Sequence, residues 1–92
     1  MYICRRRIEA FPEEAFAALL DDEAEAVRVL YAKGVVRAGW TREDVPGGCF
    51  LVEAADADEA QAHLNSAPLV ARGMMETTLI PLRGYRGFGP RG

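Results

Sequence analysis

The sequence contains little of what most enzyme classes need. It has two cysteines and one histidine, and the spacing of Cys4, Cys49 and His63 fits neither a disulfide framework nor a zinc site. It also lacks a glycine-rich nucleotide-binding loop and a nucleophile triad. The two thiols are expected to be inert, because no activating partner stands near either one in the sequence. We therefore expect a protein without a metal ion or other cofactor.

Long hydrophobic runs and a strong net charge are also absent. No apolar run approaches the roughly 20 residues needed to span a bilayer, and no signal segment is visible at the N-terminus, so we expect a cytoplasmic protein. The net charge of −3 argues against a nucleic-acid or membrane partner. A chain of 92 residues forms one small domain, and such domains often gain stability by oligomerising.

Hydrophobic periodicity predicts the element order β-α-β-β-α-β. A first strand over residues 2–8 is followed by one long helix from Pro12 to Gly34, because apolar residues recur at three- and four-residue spacing. The apolar stripe contains Phe16, Leu19, Leu20, Val27, Leu30 and Tyr31, and the solvated side is expected to hold Asp21, Asp22, Glu23 and Glu25. A hairpin over residues 35–53 turns at 46–48.

The second half of the chain repeats this organisation. Asp56 followed by Glu59 is a capping-box pattern that starts a second helix, and residues 65–68 end it. A last strand over 74–82 contains Pro81, which places it at a sheet edge. Segments 32–37 and 71–76 share one pattern, with a capping glycine before two apolar residues.

Two such β-α returns predict an α+β, ferredoxin-like fold. Right-handed crossovers give an antiparallel sheet of order 4-1-3-2 with both helices on one face. Residues 1–82 would form this domain, and residues 83–92 a C-terminal arm.

Side-chain alternation divides the predicted sheet into two faces. The face expected beneath the helices holds Val36, Ala38, Trp40, Phe50, Val52, Ala54, Met75, Thr77 and Leu79. The opposite face holds Ile3, Arg5, Arg7, Val35, Arg37, Gly39, Leu51, Glu53, Met74, Glu76, Thr78 and Ile80. This second face is too apolar for water and too charged for a monomer core, so we expect a second copy to cover it and complete a two-chain barrel.

Five segments of the chain carry a family resemblance: residues 30–37, the turn 46–48, and segments 51–54, 67–70 and 79–82. They resemble the muconolactone δ-isomerase-like family of the dimeric α+β barrel superfamily. The resemblance covers nearly the whole chain and implies a homodimer or a higher homo-oligomer. It also implies a cofactor-free isomerase that shifts a double bond by proton transfer in a small cyclic anionic metabolite. A cofactor-independent monooxygenase acting on an aromatic compound is an alternative, as is a non-catalytic ligand-binding or assembly subunit.

The candidate site residues lie mostly on the hairpin. Arg37 and Glu53 either form a salt bridge in the dimer interface, or Arg37 binds a substrate carboxylate while Glu53 accepts a proton. Trp40 would supply a flat apolar wall and Arg42 a second cation. The predicted substrate-binding residues are therefore Arg37, Trp40 and Arg42, and the predicted catalytic residues are Glu53 and His63.

Aromatic residues outside the hairpin allow two further interpretations. Tyr2 and Tyr31 could place their hydroxyl groups between the first helix and the sheet, although packing is the simpler account. The arginine- and glycine-rich segment 83–92 is compatible with binding single-stranded RNA. We prefer an arm that packs Tyr85 and Phe88 onto a neighbouring subunit.

Overall fold

A computed structural model describes residues 1–90 as a four-stranded antiparallel sheet with helices on one side. The strands are β1 (Tyr2–Arg6), β2 (Val36–Thr41), β3 (Gly47–Val52) and β4 (Met75–Leu79). The helices are α1 (Glu13–Ala17), α2 (Leu20–Ala32), α3 (Ala57–Leu64) and α4 (Pro68–Ala71). The strand order β2-β3-β1-β4 is the predicted order 4-1-3-2 counted from the other edge. The α+β class and the sheet topology are thus confirmed.

The predicted long helix is interrupted, which corrects the expectation of one helix up to Gly34. Between α1 and α2, the Leu19 N–H bonds to the Phe16 carbonyl at 3.0 Å, an i→i−3 contact that tightens the chain at this point. The interruption allows the two halves to pack against different parts of the core. Phe16 contacts a cluster that includes Leu69, whereas Leu30 belongs to a cluster that includes Val36.

The predicted helix boundaries around α3 and the two capping glycines are confirmed. Asp56 Oδ1 accepts a hydrogen bond of 2.8 Å from the Glu59 N–H. In return, the Glu59 carboxylate accepts a hydrogen bond of 2.9 Å from the Ala55 N–H. Gly34 and Gly73 have φ values of 78° and 68°, in the left-handed region that a side chain disfavours. Pro68, expected only to end a helix, also begins α4, where its missing N–H costs nothing.

The core lies between the sheet and the helices, in three adjoining clusters of buried side chains. The clusters are Tyr2, Cys4 and Leu64; Phe16, Leu69 and Met74; and Leu30, Val35 and Val36. Phe50 and Val52 pack against the first and third clusters, and Met75 packs against the first and second. All four helices therefore cover the same face. Val35 and Met74 were predicted on the other face, but each precedes its strand, where alternation does not yet apply.

A β-bulge at Arg37 changes the predicted faces of the hairpin. Val36 pairs with Val52, but the next pair is Ala38 with Leu51, so that Arg37 has no partner across the ladder. One extra residue in β2 reverses the direction of every later side chain relative to simple alternation. Ala38 therefore shares the open face of the sheet with Leu51, not the helix-covered face as predicted.

The same reversal moves Trp40 to the open face. Trp40 pairs with Cys49, and Gly39 pairs with Phe50. Directly opposed residues of an antiparallel pair point to the same side, and Phe50 belongs to the core. A side chain added at Gly39 would lie 2.8 Å from the Phe50 ring, which confirms that Gly39 faces the helices. Trp40 is 55% exposed, and its prediction as a core-facing residue is wrong.

The segment after β4 projects from the body of the domain. It forms one short 3₁₀ turn at Arg86–Phe88, where regular structure was not predicted. The rings of Tyr85 and Phe88 meet edge to face with centroids 5.0 Å apart, and Phe88 is 90% exposed. Residues 91–92 of the predicted arm lie outside the described residues. Within residues 1–90, no helix combines the length and the hydropathy that crossing a membrane requires.

Candidate functional site

A cavity of about 180 Å³ lies between α2 and the covered face of the sheet. We call it the helix–sheet cavity. Its large apolar wall residues are Val27, Leu30, Phe50, Leu64, Leu69, Val70 and Met75. Leu20 and Thr41 also line it and are exposed, so the cavity opens to solvent near them. A mainly apolar cavity with a few inward polar groups is typical of small-molecule sites.

One carboxyl group in this lining comes from Glu23 on α2. Its Oε2 accepts a hydrogen bond of 2.9 Å from the Leu69 N–H in the first turn of α4. Burial raises the pKa of Glu23, and the hydrogen bond from Leu69 opposes that rise. A carboxyl group with a raised pKa in a cavity is a candidate general acid or base.

The prediction that Glu23 lies on the solvated side of the helix is wrong, although the sequence contains the signal for its true position. Glu23 follows Phe16 by seven residues and precedes Leu30 by seven. These are two-turn spacings, so the carboxylate interrupts the apolar stripe itself. An acidic residue in the middle of an apolar stripe indicates a functional or capping role. This signal should outweigh the fact that the residue also stands in an acidic run, which suggests exposure to solvent.

Two further polar groups of the lining come from β1. Tyr2 is 1% exposed, and its hydroxyl is the one buried side-chain polar atom without a hydrogen-bond partner in the part of the chain that the structure describes. Burial raises the pKa of Tyr2, the charges of Cys4 and Glu23 raise it further, and the neighbouring Thr77 side chain, which falls outside hydrogen-bond geometry, opposes them. Tyr2, Cys4 and Glu23 all line the helix–sheet cavity. Tyr2 does lie between helix and sheet, whereas Tyr31 is 65% exposed and does not.

The Cys4 thiol is a weak candidate for a nucleophile. Its Sγ lies 3.5 Å from the Gly48 carbonyl oxygen, to which it donates. Burial is the main cause that raises the pKa of Cys4, so the thiol stays protonated at neutral pH. Cys49 lies on the neighbouring strand but on the open face, because it pairs with Ile3 rather than with Cys4. Both cysteines are free.

Arg37 and Glu53, the predicted cross-strand pair, do not meet. Arg37 is exposed in the bulge, and the Glu53 N–H bonds to the Val35 carbonyl at 2.7 Å. The strand register explains the difference, because Val36 pairs with Val52 and Glu53 therefore lies opposite Val35, two residues before Arg37. Glu53 is exposed and lines a groove of about 490 Å³ between the β3–α3 connection and the C-terminal segment. That groove holds no buried polar group among the described residues, and exposed residues 81–84 form one of its walls.

The guanidinium group of Arg42, which was predicted to bind substrate, is paired with a carboxylate of the same chain. Its Nε and Nη2 donate to the two carboxylate oxygens of Asp44 at 2.9 and 2.6 Å. This fork lowers the pKa of Asp44 to about 2. The predicted base His63 lies on α3, with Nε2 3.5 Å from Glu59 Oε1. It is absent from the helix–sheet cavity lining.

The five predicted site residues are therefore not brought together. Within residues 1–90, no hydrogen bond or ion pair joins any two of Glu53, His63, Arg37, Trp40 and Arg42. Trp40 borders the helix–sheet cavity, but its indole lies on the opposite face of the sheet. In the same range, no group of three or more His, Cys, Asp or Glu side chains has a geometry suited to a metal ion.

Comparison with known proteins leaves the helix–sheet cavity as the main guide to function. No protein-family model, curated protein or solved structure matches the chain. The polar groups in the lining of this cavity include Glu23 and Tyr2.

Proposed function

We propose that this chain is a cofactor-free enzyme that transfers a proton within a small cyclic compound bound in the helix–sheet cavity. This is the chemistry implied by the sequence's resemblance to the muconolactone δ-isomerase-like family. The observation that supports it best is the position of Glu23, a carboxyl group of raised pKa in an apolar lining. Glu23 takes the catalytic role that was first expected of Glu53 and His63.

The proposed reaction uses two groups of the cavity. Glu23, ionised, removes a proton from a ring carbon next to a carbonyl group, and the electrons of that C–H bond form an enolate. The Tyr2 hydroxyl donates a hydrogen bond to the enolate oxygen, where the negative charge collects. Protonated Glu23 then returns the proton to the ring carbon at the far end of the conjugated system. The double bond moves, and no atom or electron is gained or lost.

The raised pKa suits Glu23 to both steps. A base is most effective when its pKa lies near the operating pH, because it must both hold and release the proton. Apolar walls strengthen the hydrogen bond between the Tyr2 hydroxyl and the developing negative charge. One carboxyl and one hydroxyl group are thus sufficient for the chemistry.

We further propose that two copies pair through the open face of the sheet to form an α+β barrel. The apolar residues of that face are Ile3, Ala38, Trp40, Cys49, Leu51 and Ile80. Ile80 and Leu51 are 41% and 37% exposed. At one end, Arg5 bonds to Glu76 across the strands at 2.9 Å. An apolar strip with a polar border has the character of a protein interface.

The reaction can be tested with α-angelica lactone, a small uncharged lactone whose double bond moves into conjugation with the carbonyl on proton transfer. Formation of the conjugated isomer is followed by ultraviolet absorbance. We expect acceleration by the wild-type chain and a loss of about 100-fold or more in Glu23→Gln. Glu25→Gln is the matched control, because Glu25 lies on the same helix but is exposed and paired with Arg28.

Three outcomes would contradict this function. Equal rates for the wild-type chain and Glu23→Gln would remove Glu23 from the mechanism. Oxygen uptake with a hydroquinone, without lactone isomerisation, would favour the monooxygenase alternative. Ligand binding without any turnover would favour a non-catalytic binding subunit.

A further inference from the structure

The dimensions of the helix–sheet cavity limit the size of its ligand. It holds about 180 Å³, and an apolar cavity of about 150 Å³ in another protein is known to bind benzene. A five- or six-membered ring with one or two small substituents therefore fills the available space. A larger fused-ring compound would have to extend through the opening near Leu20 and Thr41.

The Tyr2 hydroxyl indicates where the polar group of that ligand lies. It is buried, and no group of residues 1–90 meets hydrogen-bond geometry with it, the neighbouring Thr77 side chain included. Leaving such a group unpaired is unfavourable. Natural structures rarely keep an unpaired buried hydroxyl without a reason. A ligand oxygen within hydrogen-bond distance of Tyr2 would satisfy it, since a hydroxyl group both donates and accepts.

The charges of the lining argue against an anionic ligand. The carboxyl group of Glu23 would repel a carboxylate, and Arg6 is the one arginine that lines the cavity. The Arg6 guanidinium lies over the Phe16 ring, 5.8 Å from its centroid. Arg42, expected to bind a substrate carboxylate, is instead held by Asp44. Among the described residues, Arg6 is thus the one arginine or lysine that could pair with an anionic ligand in the cavity, and its guanidinium lies over the Phe16 ring.

We infer that the ligand is an uncharged five- or six-membered ring with a single hydroxyl or carbonyl oxygen, which binds to the Tyr2 hydroxyl while the ring contacts the apolar walls. This inference rests on the proposed function for the location of the site. It replaces the small anionic metabolite expected from the sequence with a neutral compound, such as a phenol, a cyclic enone or a simple lactone.

Equilibrium binding of three probes of similar size tests the inference without requiring turnover. Phenol, toluene and benzoate are titrated at neutral pH by calorimetry or by ligand-observed NMR. We expect phenol to bind about 5–10-fold more tightly than toluene, since a hydrogen bond contributes about 1 kcal/mol. Benzoate should bind most weakly. In Tyr2→Phe the advantage of phenol over toluene should disappear while toluene binding is retained.

Arg6→Met separates the neutral from the anionic interpretation. If benzoate binds more tightly than phenol and loses that advantage in Arg6→Met, the ligand is an anion and the inference is overturned. Equal binding of phenol and toluene to the wild-type chain, or no binding of any probe, would overturn it as well. Phenol binding that depends on Tyr2, with no isomerisation of the lactone, would contradict the proposed reaction but support the ligand class.

Discussion

The carboxylate of Glu23 accepts a hydrogen bond from the Leu69 N–H at 2.9 Å and so joins α2 to α4 in the lining of the helix–sheet cavity. The contact has two consequences. It satisfies a main-chain donor in the first turn of α4, as a capping side chain does. It also holds an ionisable group beside apolar walls, where its charged form is disfavoured.

The stability of the protein should depend on the ionisation of Glu23. Because burial raises its pKa above the usual 4.5, the folded chain holds this proton more tightly than the unfolded chain. The resulting stabilisation is complete below the unfolded pKa and is lost as the pH rises through the folded pKa. Glu23→Gln removes the titration and keeps an oxygen for the Leu69 N–H. The Tm of Glu23→Gln relative to wild type should therefore increase from about pH 4 to pH 8.

Thermal denaturation over this pH range measures the effect, with Glu25→Gln as the matched control on the same helix. The Tm of Glu25→Gln relative to wild type should not increase as the pH rises. Glu23→Ala should be less stable than Glu23→Gln at every pH, by about 1 kcal/mol, because it also removes the acceptor for the Leu69 N–H. Parallel pH profiles for wild type and Glu23→Gln would show that Glu23 is not buried.

A charge on the open face of the sheet should dissociate the proposed dimer. Leu51→Glu would bury an unpaired carboxylate in the interface, which is strongly unfavourable. Val29→Glu is the matched control, because Val29 is 42% exposed and Leu51 is 37% exposed, but Val29 lies on α2. Light scattering at micromolar concentration should give a monomer mass for Leu51→Glu and a dimer mass for Val29→Glu. A monomeric wild-type chain would contradict the proposed barrel.

The bulge at Arg37 can be tested by removing its extra residue. Deletion of Arg37 would place Ala38 directly after Val36, so that the Val36–Val52 and Ala38–Leu51 pairs become neighbours in a regular ladder. Trp40 would then stay on the open face, and Gly39 would stay beside the Phe50 ring, where the structure leaves no room for a side chain. We expect the deletion variant to fold with the same strand pairing.

Substitution of the same residue provides the control. Arg37→Ala should change the free energy of unfolding by no more than about 0.5 kcal/mol, because the side chain is exposed. Circular dichroism during heating measures the stability of both variants. Unfolding of the deletion variant, with Arg37→Ala still folded, would mean that Arg37 belongs to a regular ladder and that β2 pairs with β3 without a bulge.

Much of the fold could be predicted because its signals are local. Gly34 and Gly73 mark the two returns into the sheet, and both have the positive φ that makes glycine the favoured residue there. Once two β-α returns are recognised, the handedness of crossovers leaves few strand orders to consider. The order of the sheet thus followed from two glycines and one hairpin turn.

The positions of two residues, Trp40 and Glu23, could not be predicted from local patterns as they were applied. Neither a glycine nor a proline marks Arg37 as a bulge, so strict alternation placed Trp40 on the wrong face. Glu23 was assigned to solvent because it stands in an acidic run, although its two-turn spacing from Phe16 places it in the apolar stripe. In each case the immediate neighbours along the chain were misleading. The spacing from Phe16 and Leu30 reveals the position of Glu23, whereas only strand pairing reveals that of Trp40.

The C-terminal segment should stabilise the proposed dimer through its two exposed aromatic rings. Tyr85 and Phe88 are 70% and 90% exposed, and burying such rings on a partner subunit removes a large apolar area from water. Truncation after Leu82 should lower the Tm and make it depend more steeply on protein concentration, because binding between subunits stabilises by mass action. Truncation after Gly89 is the control, since it retains both rings. Identical melting of the two truncated chains at all concentrations would show that the rings contact no partner.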